Sequence, residues 1–357
     1  MNRPYRFILV GAGWRAGFFM RTAQWMPERF TMLGVVCASP RSEAVARDEW
    51  HTRVFSSIAE AAAEKPDFLI AAIPADAIHA IAVECMQYHL PVMFETFLAK
   101  SVEELQALYQ DTGHAPILVA EQYPFQPMHA ARIQIANSGA LGKAYHARVS
   151  FVQNYHTLAV LRRLLNVSME RPLVHGFRQQ FQRAAGPTRA GDPTSDALQD
   201  VSEEIFLLDY GDRVAIGDYE SMQQRSWFRT PTILVRAERG EIVGEKVTRL
   251  KDRMTPYTYD LRRVQTGLAG NLEGFSLRGI MAGDQWLYEN PYYPMRLADD
   301  EIAVACCMDG MAAFLAGEKP FYALREALQD QYISLLIQQS IQEGRPIQAE
   351  KQPWQSD

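Results

Sequence analysis

The sequence predicts an α/β fold that begins with a doubly wound Rossmann domain and continues into a second, strand-rich domain. Three observations predict it. Short apolar runs alternate with amphipathic segments in the first third of the chain, a glycine-rich turn follows the first run, and apolar and polar residues alternate in runs of the second half. With 357 residues, of which 48% are hydrophobic, the chain is long enough for two packed domains.

The first third of the chain has the pattern of alternating strands and helices. Phe7-Ile8-Leu9-Val10 is a continuous apolar run, which is typical of a strand buried on both faces. A helix is predicted from Trp14 to Trp25, and further strands are predicted at residues 32–37, 68–73, 91–94 and 117–119. One later helix has a single apolar stripe, formed by Ile78, Ile81, Ala82, Cys85 and Met86. Such alternation predicts a parallel sheet with right-handed crossovers.

A glycine-rich turn follows the first predicted strand and opens the first predicted helix, which is the setting of a dinucleotide-binding turn. It reads Gly11-Ala12-Gly13-Trp14-Arg15-Ala16. In that setting Gly11 permits the tight turn, Gly13 leaves room for a pyrophosphate at the helix N-terminus, and Ala16 allows close packing on the strand. A nicotinamide dinucleotide is therefore the predicted cofactor, and a merely tight strand-to-helix turn is the alternative.

The end of the second predicted strand favours NADP slightly over NAD. An acidic residue there would bind the adenosine ribose of NAD, but the segment reads Val36-Cys37-Ala38-Ser39-Pro40-Arg41-Ser42. Arg41 can pair with a 2′-phosphate through its forked guanidinium, and Ser39 adds a hydroxyl. The alternative is that Arg41 is a solvated residue in the first turn of the next helix and that NAD binds through backbone groups.

Composition narrows the partners and the location. The net charge of −6 and the scattered Lys and Arg residues argue against a nucleic-acid surface. No stretch approaches the roughly 20 apolar residues of a membrane span, and the N-terminal apolar run is too short for a signal peptide, so we expect a cytoplasmic protein without a membrane partner. The four cysteines have no metal-ligand spacing and are predicted to be core thiols; no metal site is expected.

The second half is predicted to contain strands with one buried face. Tyr145, Ala147, Val149 and Phe151 alternate with polar residues, and residues 233–243 have the pattern of a hairpin that turns at Arg239-Gly240. Further strands are predicted at residues 213–216 and 285–288. A long closing helix, which can pack back on the first domain, is marked by Leu324, Leu328, Tyr332, Leu335 and Leu336.

Several motifs along the chain resemble those of the glucose-fructose oxidoreductase and inositol dehydrogenase family (Gfo/Idh/MocA). They are the Gly11-Ala12-Gly13 turn, residues 73–79 (IPADAIH), 95–99 (ETFLA), 120–123 (AEQY) and 138–142 (SGALG), and Tyr155-His156. The resemblance implies an NAD(P)-binding domain at residues 1–122. It also implies, at residues 123–357, an α+β domain with a large, mostly antiparallel sheet that holds a sugar- or polyol-like substrate and often forms the interface of a homo-oligomer, a dimer or a tetramer. The cofactor contacts that it implies, besides Ser39 and Arg41, are Gly11, Ala12, Gly13, Trp14, Arg15, Ile73, Pro74, His79, Glu95, Thr96 and Gln122.

The proton-handling residues of the family are only partly present. Family members usually have a lysine after the glutamate of a Glu-Lys-Pro motif, near the nicotinamide, but this chain reads Glu95-Thr96-Phe97. Thr96 can form hydrogen bonds but cannot serve as a base near neutral pH. A second family motif has an aspartate four residues before a histidine; His156 matches the histidine, whereas Val152 occupies the aspartate position. Lys100 could replace the missing lysine only if the loop followed a different path.

His156 is therefore the predicted acid or base, because an imidazole can accept a carbinol proton as hydride leaves. Tyr123 and Tyr155 could orient a hydroxyl or serve as core aromatics. His175 and Arg178 could touch the substrate, although a satisfied pair on a strand face is the favoured interpretation.

The sequence thus predicts an NAD(P)-dependent oxidoreductase that acts on a sugar- or polyol-like secondary alcohol or ketone, with His156 as the proton acceptor and Tyr123 and Thr96 as hydrogen-bonding groups. Two alternatives stay open. One is a cofactor-retaining epimerase or glycoside-cleaving enzyme, and the other is a non-catalytic dinucleotide-binding sensor, which the loss of the family lysine and aspartate would suit.

Overall fold

The computed structural model describes residues 3–269 and 274–355, which form two compact units. The first unit contains the chain up to Gln122, Ala298–Tyr332 and the segment from Gln352; the second contains Tyr123–Leu297 and Ile333–Lys351. The sequence placed all residues after 122 in the second domain, whereas Ala298–Tyr332 belongs to the first unit. The reason is that the helix Asp299–Leu315 packs on the first helix of the chain, and the Val119 amide donates to the Tyr322 carbonyl.

The first unit is built on a parallel sheet, as predicted. Among the described residues the sheet has six strands, in the order β3-β2-β1-β4-β5-β6. The strands are β1 (Tyr5–Val10), β2 (Phe30–Val36), β3 (Val54–Phe55), β4 (Phe68–Ala71), β5 (Val92–Phe94) and β6 (Ile117–Val119). The strand order reverses at β1, and in sheets of this kind a dinucleotide binds across the carboxyl ends of the strands at that reversal.

Helices connect the strands of the first sheet. They are α1 (Ala16–Trp25), α2 (Pro40–Ala44) with a π-helical continuation (Val45–Glu49), α3 (Ile58–Ala63), α4 (Ala75–Gln87) and α5 (Val102–Thr112). The predicted stripe of α4 is correct for Ile78, Ala82 and Cys85, which are buried. The first helix begins two residues later than predicted, because the chain after Gly13 forms the turn that leads into it.

The second unit contains the large, mostly antiparallel sheet that the resemblance implied. Within the described residues its order is β16-β15-β14-β13-β12-β11-β7-β10-β9-β8-β17, and only the β7–β10 pair is parallel. The strands are β7 (Ala144–Ser150), β8 (Leu173–Ala184), β9 (Leu198–Asp209), β10 (Val214–Glu220), β11 (Thr232–Ala237), β12 (Gly240–Val243), β13 (Lys246–Leu250), β14 (Pro256–Gln265), β15 (Leu277–Ala282), β16 (Gln285–Glu289) and β17 (Ile347–Gln348).

One face of this sheet is the core of the second unit. Ala147, Val149, Ala215, Val235 and Val247 are almost completely buried on it, and helices α6 (Pro127–Asn137) and α7 (Asn154–Leu165) pack on the sheet. The opposite face, called the outer face below, carries partly or fully exposed apolar side chains. They are Phe177, Phe181, Ile205, Leu207, Ile216, Leu234 and Val243.

The structure corrects one residue of the predicted pattern. Tyr145 was expected on the buried face but is 45% exposed. The pairing of β7 with β11 shifts there: His146 pairs with Arg236, and Ala144 pairs with Ala237, so that Tyr145 has no partner. An extra residue in one strand rotates its side chain out of the alternation. The predicted hairpin is confirmed, but its turn, formed by Glu238 and Arg239, lies one residue earlier than predicted, because Ala237 pairs with Gly240.

The remaining helices are α8 (Asp299–Leu315) and α9 (Leu324–Glu343). The closing helix α9 contributes its residues up to Tyr332 to the first unit and those from Ile333 to the second. Cys37, Cys85 and Cys307 are buried free thiols, as predicted, whereas Cys306 is only partly buried. Across residues 3–269 and 274–355, no helix combines the length and the apolar character that a membrane crossing requires.

Candidate active site

The turn after β1 has the geometry that its glycines predict. Gly11 has a φ of +90°, and a Cβ there would lie 2.7 Å from the carbonyl oxygen of Ala72. A side chain at Gly11 would therefore strain the backbone and collide with it. Gly13 is different, because a Cβ at this position would meet nothing within 4 Å. The space beside Gly13 is open, as close approach of a ligand to the backbone requires.

A cavity of about 440 Å³ lies beside this turn, within the first unit. Its lining includes three of the predicted cofactor contacts from the turn and both from the end of β2. The lining residues are Ala12, Gly13, Trp14, Gly17, Arg21, Ser39, Arg41, Ser42, Val45, Glu49 and Trp50. The first helix and the segment after β2 thus form its two walls.

The polar groups in the cavity include a pair of serines at the start of α2 and two arginine side chains. Ser39 and Ser42 bond each other at the start of α2: the Ser42 amide donates to the Ser39 hydroxyl, and the Ser39 amide donates to the Ser42 hydroxyl. Arg41 is exposed, and Arg21 lies over the Phe18 ring, 4.7 Å from its centroid. The cavity is lined by two guanidinium groups and one carboxylate, that of Glu49, so its formal charge is positive and suits an anionic ligand.

Arg15 does not line that cavity and pairs with Glu95. Its Nε donates to a Glu95 oxygen at 2.6 Å, and the side chains are 19% and 8% exposed. The Thr96 amide donates to the other Glu95 oxygen at 3.3 Å, and the Thr96–Phe97 peptide bond is cis. The pair connects the turn after β1 with the segment after β5, a contact that the sequence did not predict.

Four buried polar side-chain atoms of the first unit lack a hydrogen-bond partner among the described residues: Arg15 Nη2, Thr22 Oγ1, Gln122 Oε1 and Gln331 Oε1. Two of them, the donor Arg15 Nη2 and the acceptor Gln122 Oε1, belong to predicted cofactor contacts. Buried polar groups are normally hydrogen-bonded. A dinucleotide, which carries donors and acceptors along its length, fits a domain with an open turn and these two atoms.

Other predicted contacts lie at the protein surface or begin a helix. His79 Nε2 lies 2.8 Å from Asp111, and both side chains are exposed. Ile73 follows β4, and Pro74 is the N-cap of α4. Lys100 binds Asp76 at 2.6 Å on the surface, where both side chains are more than 60% exposed.

In the second unit, His156 and Tyr123 come together. His156 lies in the first turn of α7, is 9% exposed, and has its ring centroid 4.6 Å from that of Tyr123. Tyr155 is 1% exposed and is therefore a core aromatic. Val152 is buried too, and its carbonyl accepts a hydrogen bond from Thr157.

A polar network that the sequence did not predict begins two residues before His156. Glu204 accepts hydrogen bonds from Asn154 at 2.6 Å and from Gln338 at 3.0 Å, and its other oxygen accepts from Arg178. Asn154 Oδ1 is buried and has no partner among the described residues. Arg178 thus has the strand-face partner that was the favoured interpretation. His175 lines a separate cavity of about 300 Å³ together with Ser340 and Arg345.

Comparison with known proteins identifies the first domain. Residues 5–119 match the Gfo/Idh/MocA family model, described as an oxidoreductase family with an NAD-binding Rossmann fold. The first domain thus matches the NAD-binding domain of this family. This match confirms the resemblance that the motifs indicated. A separate comparison with curated proteins found no match to the chain by sequence.

Solved structures share the fold over nearly the whole chain. An oxidoreductase from Agrobacterium radiobacter, in complex with NAD+, L-tartaric acid and magnesium, has a TM-score of 0.68 at 15% identity, covering 96% of this chain and 98% of its own. The WlbA dehydrogenase from Bordetella pertussis, with NADH and UDP-GlcNAcA, has a TM-score of 0.63 at 17% identity, covering 98% and 99%. Levoglucosan dehydrogenase with NADH and levoglucosan has a TM-score of 0.69 at 16% identity, covering 98% and 100%. At these identities the similarity establishes the fold alone, which these proteins share with nearly the whole of this chain.

Proposed function

We propose that this protein is an NAD(P)-dependent oxidoreductase that transfers hydride between a nicotinamide cofactor and a sugar- or polyol-like secondary alcohol or ketone. One observation carries the proposal: the open Gly13 turn and its cavity lie at the strand reversal of a domain that matches an oxidoreductase family. The ligands of the structurally similar proteins, levoglucosan, UDP-GlcNAcA and L-tartaric acid, support the substrate class.

NADP is the proposed preferred cofactor, held by Gly13 at the pyrophosphate and by Ser39 and Arg41 at the adenosine ribose. Arg41 is exposed in the cavity, with Arg21 as a second cation. A doubly charged 2′-phosphate gains more from two guanidinium groups than a ribose hydroxyl does. NAD remains the alternative, with Arg41 in solvent.

The proposed chemistry needs a proton acceptor, because oxidation of an alcohol releases a hydride from carbon and a proton from oxygen. When bound, the cofactor supplies the hydride acceptor. His156 takes the proton at a ring nitrogen in the oxidative direction and returns it in the reductive direction. The Tyr123 ring packed on His156 fixes the imidazole plane, Asn154 Oδ1 accepts a hydrogen bond from a substrate hydroxyl, and Thr96 orients the reacting oxygen.

Replacement of His156 tests the chemistry. The panel of substrates is D-glucose, myo-inositol, levoglucosan and L-tartrate, and cofactor reduction is followed by absorbance. His156→Gln should bind NADPH as the wild type does and lose about 10²- to 10⁴-fold in turnover, the usual contribution of a general base. The exposed His114 provides the matched control, since His114→Gln should turn over normally.

Equal turnover in His156→Gln and the wild type would reject the proton assignment. If cofactor binds but no alcohol or ketone changes its redox state in the wild type, the enzyme proposal fails and a dinucleotide sensor replaces it.

Replacement of Arg41 tests cofactor choice. Arg41→Ala should weaken the binding of NADPH by about tenfold or more and leave the affinity for NADH within about twofold of the wild type, because only NADPH carries the extra phosphate. Arg47→Ala, in the same region but paired weakly with Glu43 at 4.0 Å, is the control. Equal losses for both cofactors, or tighter wild-type binding of NADH, would contradict the preference.

We further propose that the protein is a homo-oligomer, a dimer or a tetramer, that assembles through the outer face of the large sheet. Phe177 is 64%, Phe181 48% and Ile205 41% exposed on that face. Large apolar side chains clustered on one exposed surface are typical of an interface.

A further inference from the structure

The buried Arg15–Glu95 pair lies at the half of the dinucleotide site that would receive the nicotinamide. The sheet order places β2 on one side of β1, and β4 and β5 on the other. With the pyrophosphate at the turn after β1 and the adenosine at the end of β2, the other half of the cofactor must extend over β4 and β5. Glu95 directly follows β5, and Arg15 reaches it from the turn.

The pair holds one positive and one negative charge at 2.6 Å, both largely removed from water. Around it, Asp300 interacts electrostatically with Arg15, and the Cys307 thiol interacts with both members. Burial raises the pKa of Cys307 well above its ordinary value, so the thiol is neutral. Arg15 Nη2 is buried and has no hydrogen-bond partner among the described residues, and the guanidinium lies over the Phe18 ring, 5.0 Å from its centroid.

We propose that Glu95 cancels the charge of Arg15 beside the nicotinamide, so that the guanidinium does not weaken binding of the oxidised cofactor relative to the reduced one. This inference rests on the proposed function. The two forms differ in one respect that matters here: the oxidised nicotinamide ring carries a positive charge and the reduced ring is neutral. In the intact pair the two charges nearly cancel at the ring, and Glu95 keeps the guanidinium from repelling the oxidised form.

Removing one charge at a time reveals this role. Glu95→Gln leaves Arg15, which stays protonated at any accessible pH, without its counter-charge. The ratio of Kd for the oxidised form to Kd for the reduced form should rise about tenfold, the scale of one charge at several ångströms in a partly buried site. Arg15→Met leaves the carboxylate and should lower the ratio.

The double variant Arg15→Met/Glu95→Gln carries neither charge, and its ratio should return to within about twofold of the wild type. A merely structural pair would weaken both cofactor forms together and leave the ratio unchanged. Glu64→Gln, which breaks the exposed Arg53–Glu64 pair of the same domain, is the control and should leave both Kd values unchanged.

The experiment measures binding alone. NADPH is titrated by its fluorescence and NADP+ by calorimetry, on the full chain, with thermal unfolding of each variant to show that it is folded. A ratio within about twofold of the wild type in every folded single variant overturns the inference. If only one of the two single variants folds, the inference is tested by the change of the Kd ratio in that variant and by the return of the ratio to the wild-type value in the double variant. Failure of the wild type to bind either form would instead reject the proposed function.

Discussion

Gly11 and Gly13 are two residues apart in one turn, yet a side chain would have different effects at each. At Gly11, a Cβ would lie 2.7 Å from a backbone oxygen at a φ of +90°, while at Gly13 it would meet open space. One glycine is therefore required by the fold, and the other is required only if a ligand occupies the space.

Valine at the two positions should separate these requirements. Gly13→Val should unfold at the wild-type temperature and lose NADPH binding by more than about tenfold, because the side chain fills the space beside the turn. Gly11→Val should lower the free energy of unfolding by more than about 2 kcal/mol, the combined effect of strain and collision. Thermal unfolding and fluorescence titration measure the two effects. Unchanged NADPH affinity in Gly13→Val would show that the ligand does not pass there.

His129 on α6 should make the second unit sensitive to acid. Its ring stacks on Phe151 and its Nδ1 accepts a hydrogen bond from Arg132 at 3.2 Å. Burial, reinforced by Arg132, lowers the pKa of His129 from 6.5 to about 3. Protonation would remove the acceptor and place two cations together.

The unfolded chain takes up this proton near pH 6.5, whereas the folded chain takes it up only near pH 3. Its contribution to stability is therefore constant above about pH 6.5 and is lost progressively as the pH falls toward 3. His129→Gln keeps an acceptor for Arg132. It should reduce the dependence of the free energy of unfolding on pH between about pH 3 and 6.5 without changing that dependence above pH 7. Urea unfolding across the pH range measures it, and parallel curves for the two proteins would contradict the assignment.

The residues that the sequence could identify are those fixed by local rules. The Gly11 turn and Ser39 at a helix start follow from backbone and capping preferences of neighbouring residues. Arg15–Glu95 and Asn154–Glu204 could not be predicted, because 80 and 50 residues separate their members and no periodicity joins them.

Among the elements, strands buried on both faces were easiest to predict. Each strand predicted in the first third has a counterpart in the parallel sheet, and the run at residues 117–119 matches β6. The two-residue strand β3 gave no apolar run to detect. Tyr145 shows the other limit: alternation fixes the face of a residue only while the pairing is regular, and the shift against β11 depends on a strand about 90 residues away.

A buried ion cluster joins the far ends of β8 and β10. Glu220 at the end of β10 binds Arg183 near the end of β8, and also Arg229 at 2.8 Å. Arg183 also donates to the carbonyls of Ala184 and Ser221. The side chains of Arg183 and Glu220 are only 4% and 6% exposed.

Removal of the single acid of this cluster should cost more than removal of one of its bases. Glu220→Gln leaves the buried Arg183 without a counter-charge and should lower the free energy of unfolding by about 3 to 5 kcal/mol. Arg183→Met should cost less, since Arg229 still pairs with Glu220. The exposed Arg53–Glu64 pair is the comparison, with less than about 1 kcal/mol expected for Glu64→Gln. Denaturant unfolding gives the order, and a larger loss in Arg183→Met would contradict it.

At the scale of the whole molecule, the sequence predicted the fold class but not the full assignment of chain to unit. The chain passes from the first unit to the second after Gln122, shortly after the last strand of the first sheet, as the sequence predicted. The sequence predicted no helix at α8, and that helix belongs to the first unit because it packs on α1. Its buried residues, which run from Ile302 to Ala312, do not form a single stripe that would indicate a partner surface.

The outer face of the large sheet gives the last prediction, which concerns assembly. Phe177 pairs across the strands with Ile205. Phe181 lies four residues further along β8, so its side chain is on the same face of the sheet as that of Phe177. In a monomer these side chains would remain in water, whereas a two-fold interface would bury them against their own copies.

The wild type should therefore sediment as a dimer or a tetramer. Phe177→Glu and Phe181→Glu should shift it toward the monomer, because each would place carboxylates in an apolar interface. Met254→Glu changes a side chain that is 76% exposed in a turn outside this face and should leave the assembly intact. Analytical ultracentrifugation over a range of protein concentrations compares the four proteins. A monomeric wild type, or equal dissociation in Met254→Glu, would rule out the outer face as the interface.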